Sequence, residues 1–172
     1  DSSTPIWNYN SGQHIESVSI SGNGEYITAG NEEGNLYYFS KNSSIPLWTH
    51  SSFEYSGSMN SVSISKDGKY VVAGSSDDNV YFLSQNYYNN EWIKFLYSGN
   101  SESAISVISA NGEYIATGSS NGYLNLFTKD NNTVILNYDC GGSITALDIS
   151  ENGNYIVIGN SNKDLYLFDK DS

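Results

Sequence analysis

One stretch of about two dozen residues occurs four times, and it decides what this chain can fold into. The second copy, Ser63 to Ser84, reads SISKDGKYVVAGSSDDNVYFLS. The copies start at Ser19, Ser63, Val107 and Asp148. Each carries a first turn (Asn23-Gly24, Asp67-Gly68, Asn111-Gly112, Asn152-Gly153), an aromatic two residues on (Tyr26, Tyr70, Tyr114, Tyr155) and a second glycine (Gly30, Gly74, Gly118, Gly159). The columns are offset by 44, 44 and 41 residues. A period in this range marks a repeat architecture, in which each unit hides its apolar faces against its neighbours.

Asn-Gly and Asp-Gly accept the positive φ that tight hairpin turns demand. The runs on either side, such as SVSIS and YVVAG, are short, β-branched and aromatic with partial alternation. A polar turn and a third strand follow: LYYFS, VYFLS, LNLFT and LYLFD. A fourth strand lies between copies, near Pro5-Ile6-Trp7, Pro46-Leu47-Trp48, Ile93-Lys94-Phe95 and Val134-Ile135-Leu136. It gives an apolar column Trp7, Trp48, Phe95 and Leu136, expected to be buried on outermost strands. No segment has sustained helical periodicity with caps. The fold class read from this is all-β: a β-propeller of four-stranded antiparallel blades, four per chain.

The strands are expected near 16–21, 25–30, 35–40 and 46–50 in the first repeat, and 60–65, 69–74, 79–84 and 92–97 in the second. The third repeat takes 104–109, 113–118, 123–128 and 133–138; the last takes 144–149, 154–159 and 164–169. Residues 1–172 form a single domain, with repeats near 16–50, 60–97, 104–138, and 144–169 plus 5–10. The strand at 5–10 is expected to close the last blade, because an open sheet edge is a liability. Closure within one chain gives four blades, closure between two chains gives an eight-bladed homodimer, and a longer array is the third reading. The two-chain ring is preferred.

The W-bearing strand followed by SVSIS-x-DG-x-YVVAGS-x-D-x-x-VYFL resembles the WD-repeat-like and pyrroloquinoline-quinone (PQQ)-like propeller repeats of archaeal and bacterial proteins. The resemblance runs the length of the chain and implies the fold; propellers host many activities. It departs from the WD repeat in two places. Phe39-Ser40, Leu83-Ser84, Phe127-Thr128 and Phe168-Asp169 replace the Trp-Asp pair, and no Gly-His pair opens a repeat. The Asp-His-Ser-Trp network of that family is therefore expected to be missing.

Formal net charge is −12, and the 7 Lys and Arg are scattered. This argues against a nucleic-acid partner, which needs clustered cations. No apolar run is long enough to insert in a membrane. The single cysteine, Cys140, excludes an internal disulfide and reads as a small, partly buried residue. Low cysteine content fits a cytoplasmic or a disulfide-free surface protein, and the extracellular or cell-surface reading is preferred. The sequons at Asn42 and Asn131 are read as chance matches in an Asn- and Ser-rich chain. The chain opens Asp1-Ser2-Ser3 without Met, which predicts that residues upstream were removed or lie outside this sequence.

His14 and His50 occupy non-equivalent positions, so no metal site is assigned. The acidic turns Ser75-Ser76-Asp77-Asp78-Asn79 and Asn31-Glu32-Glu33-Gly34-Asn35 lack the ligand spacing of a calcium loop and read as solvated turns. Asp148 stands out on an innermost strand where the other copies have Ser19, Ser63 and Val107. It is expected to be a buried, hydrogen-bonded carboxylate, or else an anchor for a ligand or cation in the channel. Tyr87 and Tyr88, in the loop QNYYNN, are contact candidates. The functional expectation is a non-enzymatic scaffold or binding module, without cofactor, presenting loops 52–60, 85–91 and 98–103 to a protein or glycan. The alternative is a PQQ-like cofactor-binding propeller or quinone-dependent dehydrogenase. That family often holds the quinone with calcium and adjacent cysteines, which this chain does not supply.

Overall fold

The computed structural model describes residues 3–51, 57–77, 79–86, the backbone of 90–95, 104–130 and 133–172. Fifteen strands and no helix occur among the described residues. They form four antiparallel sheets in chain order. Sheet one holds β1 (Ile15–Ile20), β2 (Tyr26–Asn31), β3 (Asn35–Ser40) and β4 (Trp48–Ser51). Sheet two holds β5 (Met59–Ile64), β6 (Tyr70–Ser75), β7 (Asn79–Ser84) and β8 (Asn90–Phe95). Sheet three holds β9 (Ala104–Ile108), β10 (Tyr114–Ser119), β11 (Tyr123–Thr128) and β12 (Val134–Asp139). Sheet four has three strands, β13 (Ile144–Ile149), β14 (Tyr155–Asn160) and β15 (Leu165–Asp169). Each expected strand from the first repeat onward is present within two residues.

The first turn of every sheet has one chemistry. A serine hydroxyl (Ser21, Ser65, Ser109, Ser150) donates to the Asx Oδ1 two residues on, at 2.7, 2.8, 2.6 and 2.9 Å. The same Oδ1 accepts the amide of Glu25, Lys69, Glu113 or Asn154, each at 3.0 Å. The serine oxygen in turn accepts the amide of the tyrosine that opens the next strand. Gly24, Gly68, Gly112 and Gly153 all have positive φ, as the turn type requires. This Ser/Asx turn recurs in all four sheets.

The sheets stack through apolar faces, and the three interfaces follow one pattern. Between sheets one and two, Leu36, Tyr38 and Trp48 pack with Val62, Ile64, Val71 and Leu83. Between two and three, Val72, Val80 and Phe82 meet Ile108, Ile115 and Phe127. Between three and four, Ala116, Leu124 and Leu126 meet Ile156 and Ile158, with Leu147 and Phe168 alongside. The leading tyrosine of each sheet lies over the turn glycine of the next. A Cβ on Gly68, Gly112 or Gly153 would overlap the ring of Tyr26, Tyr70 or Tyr114 respectively. These glycines are needed twice, for backbone and for packing.

Three expectations need correcting. The outer-strand column is Trp48, Trp92 and Leu136, since these pair with Tyr38, Phe82 and Leu126. Phe95 pairs with Asn79, three residues away from that register. Trp48 is buried as expected, but Leu136 is half-buried and Trp7 lies outside any strand. Residues 5–10 form no strand and do not pair with β15 within the single chain. Trp7 and Tyr9 instead pack on Tyr37 and Phe39 of sheet one, and the Trp7 indole donates to Lys41 O at 2.7 Å. Ring contacts of the half-buried Trp7 and the partly exposed Tyr9 with that face hold the segment there.

Candidate functional site

The first turns of all four sheets converge at one end of the stack. Lys66 N donates to Ala110 O at 2.9 Å, and Asn111 N donates to Glu151 O at 3.2 Å. Lys66 Nζ reaches Glu151 Oε1 at 3.0 Å, joining sheet two to sheet four. Both side chains are exposed, so this pair orients the turns and adds little stability. Between the turns lies an open depression of about 440 Å³ lined by Gly22, Asn23, Lys66, Asp67, Ala110 and Asn111. A second hollow of about 250 Å³ shares Gly22, Lys66 and Ala110 and reaches Ile64, Ile108 and Ile149 on the inner strands.

The polar groups of this mouth are largely engaged in the turns. Asn23, Asp67 and Asn111 each use Oδ1 to accept two hydrogen bonds. Burial acts to raise the Asp67 carboxyl. The Lys69 amide, the Ser65 hydroxyl and the Lys69 ammonium outweigh it and hold the carboxyl below the usual range. A carboxylate held ionised and committed to a turn is a poor general acid.

The residues singled out from sequence do not come together. Asp148 lies on β13 and is exposed, not buried; its Oδ1 accepts the amide of Ile149 at 2.8 Å. It is exposed because no further sheet packs on its side of sheet four among the described residues. Tyr87 and Tyr88 lie outside the described residues, as do most of loops 52–60, 85–91 and 98–103. Cys140 is buried; burial, and then the neighbouring Asp139, push its thiol up, opposite to what a nucleophile needs. His50 is buried on β4 against Tyr81, with ring centroids 5.1 Å apart. Burial lowers its pKa against the opposing pull of Asp77.

Of the two acidic turns, Ser75–Asn79 is structural. Asp77 Oδ1 accepts the Asn79 amide at 3.0 Å and Oδ2 accepts the Tyr81 hydroxyl at 2.6 Å. Asp78 lies outside the described residues. The Asn31–Asn35 turn brings Glu32 to His14 and Glu16, with one ligand atom of each within 4.8 Å of the others. Sequence spacing did not suggest this group, because the pairing of β1 with β2 creates it. His14 and Glu16 are exposed and Glu32 lies at the surface of its turn, and the His14 amide donates to Glu32 Oε1 at 3.4 Å.

Four antiparallel sheets built on one 41–44-residue period, with Ser/Asx first turns and interlocking faces, define a WD-repeat-like β-repeat protein. The family model "WD domain, G-beta repeat" matches residues 44–82 and 132–169. Each match begins with the outer strand of one sheet and runs through three strands of the next, so the sequence repeat straddles a sheet boundary. Repeats of this kind generally act as protein-interaction scaffolds. No curated protein sequence matches the chain.

Proposed function

We propose that the chain is a non-enzymatic binding module that recognises a protein through the mouth formed by its four first turns. The observation that carries this is the mouth itself. It is open, its lining is Lys66 together with small side chains and turn backbone, and the Asx groups facing it are committed to their own turns. Such a surface offers shape and a few backbone groups to a protruding segment of a partner. It offers no convergent nucleophile and base for catalysis. A protein fits better than a glycan, since none of the residues lining either hollow is aromatic and a sugar ring has nothing to stack on. The quinone reading finds no support in Cys140, which is single, buried and raised in pKa.

The test is capture from an extract of the source organism with the wild-type chain, Ala110→Arg and Glu33→Arg. Ala110→Arg fills the mouth, while the Ala110 carbonyl bonded to Lys66 N is kept. The expected result is a protein retained by wild type and Glu33→Arg and lost by Ala110→Arg. Retention of the same protein by Ala110→Arg, or selective binding of a glycan in an array, overturns the reading.

A further inference from the structure

We propose that two copies of this chain join head to tail, the free face of sheet four packing on the free face of sheet one of the second copy, to close an eight-sheet ring. The argument is independent of the partner reading above. It rests on the three internal interfaces, which repeat the same contacts. Both halves of a fourth set stand uncovered at opposite ends of the molecule.

Four columns carry it. First, the apolar columns: Val62 and Ile64 are 8% exposed where sheet one covers them, whereas their counterparts Val18 and Ile20 are 67% and 61% exposed. Val80, Phe82, Leu124 and Leu126 are fully buried, whereas the equivalent Leu165 and Leu167 are 78% and 72% exposed. Second, the tyrosine-on-glycine contact: Tyr155 is half exposed with no glycine beneath it, and a Cβ on Gly24 would meet nothing within 4 Å. Third, the second glycine: a Cβ on Gly30 or Gly118 would strike Met59 or Ile144 of the next sheet at 2.6 Å. On Gly159 it would meet only Ala146 of its own sheet, while Ile15, the counterpart of Met59 and Ile144, is exposed.

The fourth column is polar. Inner-strand serines accept amides from the next inner strand: Ser17 from Val62 N at 3.0 Å, Ser61 from Ser106 N at 2.8 Å, and Ser63 from Ile108 N at 3.3 Å. Asp148 occupies the Ser63 position of sheet four. In the joined ring its carboxylate accepts the amide of Ile20 of the second copy, which gives this acid a role as a register pin at the junction.

The segment 5–10 completes the junction. Tyr9 lies on Phe39 at 5.1 Å and 64°, and Tyr138 of β12 lies on Phe168 at 5.1 Å and 63°. The Trp7 indole donates to Lys41 O, as the Trp48 indole donates to Gln85 O one period later. Residues 5–10 thus sit on sheet one as an outer strand sits on the following sheet. Sheet four is the sheet that shows no outer strand beside β15. Joining the copies brings the two together and removes both the apolar faces and the open edge. A head-to-tail interface must either close or polymerise. Two copies give eight sheets, within the four to eight usual for propellers, whereas three copies exceed it.

Light scattering at micromolar concentration should give a mass about twice 18.9 kDa for the wild type. Leu167→Lys should give 18.9 kDa with an unchanged far-ultraviolet circular dichroism spectrum, since that side chain is already solvated in the single chain. A second variant tests the other face: Val18→Lys should also give 18.9 kDa with an unchanged spectrum, since Val18 is 67% exposed in the single chain. A wild-type mass of 18.9 kDa, a polydisperse polymer, or a Val18→Lys chain that keeps twice that mass overturns the proposal.

Discussion

Replacing Gly68 with alanine separates the two demands on a first-turn glycine. Gly68 has φ +78°, and an alanine there pays for a left-handed backbone, about 1–2 kcal/mol. Its new methyl would also overlap the Tyr26 ring. That ring cannot slide away without cost. It stacks on Tyr38 at 5.4 Å and 17°, and Tyr38 stacks on Trp48 at 4.9 Å and 4°. Overpacking of this kind costs about 1–3 kcal/mol, so the whole change should cost about 2–5 kcal/mol. Gly141→Ala is the control. Gly141 has φ +69°, and its Cβ would find only Asn162 Nδ2 at 3.9 Å, an ordinary contact. It should cost about 1–2 kcal/mol, the backbone share alone. Urea denaturation of the three proteins reads the difference, provided the m-values agree. Tyr26→Ala in the Gly68→Ala background should recover part of the loss, as residues in contact couple. Equal losses for Gly68→Ala and Gly141→Ala, within about 0.5 kcal/mol, would refute the claim that the ring-on-glycine contact fixes the spacing of the sheets.

Other outcomes follow from single groups. Tyr38→Phe deletes a fully buried hydroxyl that donates to Gly68 O at 2.7 Å; leaving that carbonyl unpaired should cost about 1–3 kcal/mol by urea denaturation, and a neutral result would mean water replaces it. His50 is held below its ordinary pKa by burial, so between about pH 6.5 and that lowered value the unfolded chain binds more protons than the folded one. Stability should therefore fall as pH drops through this window, and His50→Gln should flatten the slope; an unchanged slope would show that His50 titrates normally. Cys140 should react with iodoacetamide at pH 8 at least about tenfold more slowly in the native protein than in urea, given its burial and raised pKa, and equal rates would place it at the surface.

The period and the turn chemistry were enough to read four sheets from sequence. Asn/Asp-Gly followed by a β-branched run is a local instruction, satisfied within about ten residues by the serine, Asx side chain and amides that stand there. That is why each strand after Gln13 lies within two residues of its expected place. The outer strand was harder to read. Its register depends on pairing across a loop of variable length, so the apolar pattern alone points to Phe95 at the position that Trp92 holds by its pairing with Phe82. The mouth was not legible at all, because Gly22, Lys66, Ala110 and Glu151 converge only once the sheets stack.

Asp148 shows where the division falls. Sequence alone determined that an acid replaces a serine on an inner strand, since the repeat makes the comparison position by position. Whether that acid is buried depends on what packs against sheet four, and no local interaction can specify that. Residues 5–10 are the same case: their Pro-Ile-Trp pattern is that of an outer strand, yet a strand needs a partner edge, and in this chain the nearest apolar surface is the Tyr37–Phe39 face of sheet one. Turns and strands are written in short-range hydrogen bonds and side-chain periodicity, so sequence determined them. Exposure, the mouth and the two open faces arise from contacts between residues a whole period apart, and those only the tertiary structure decided.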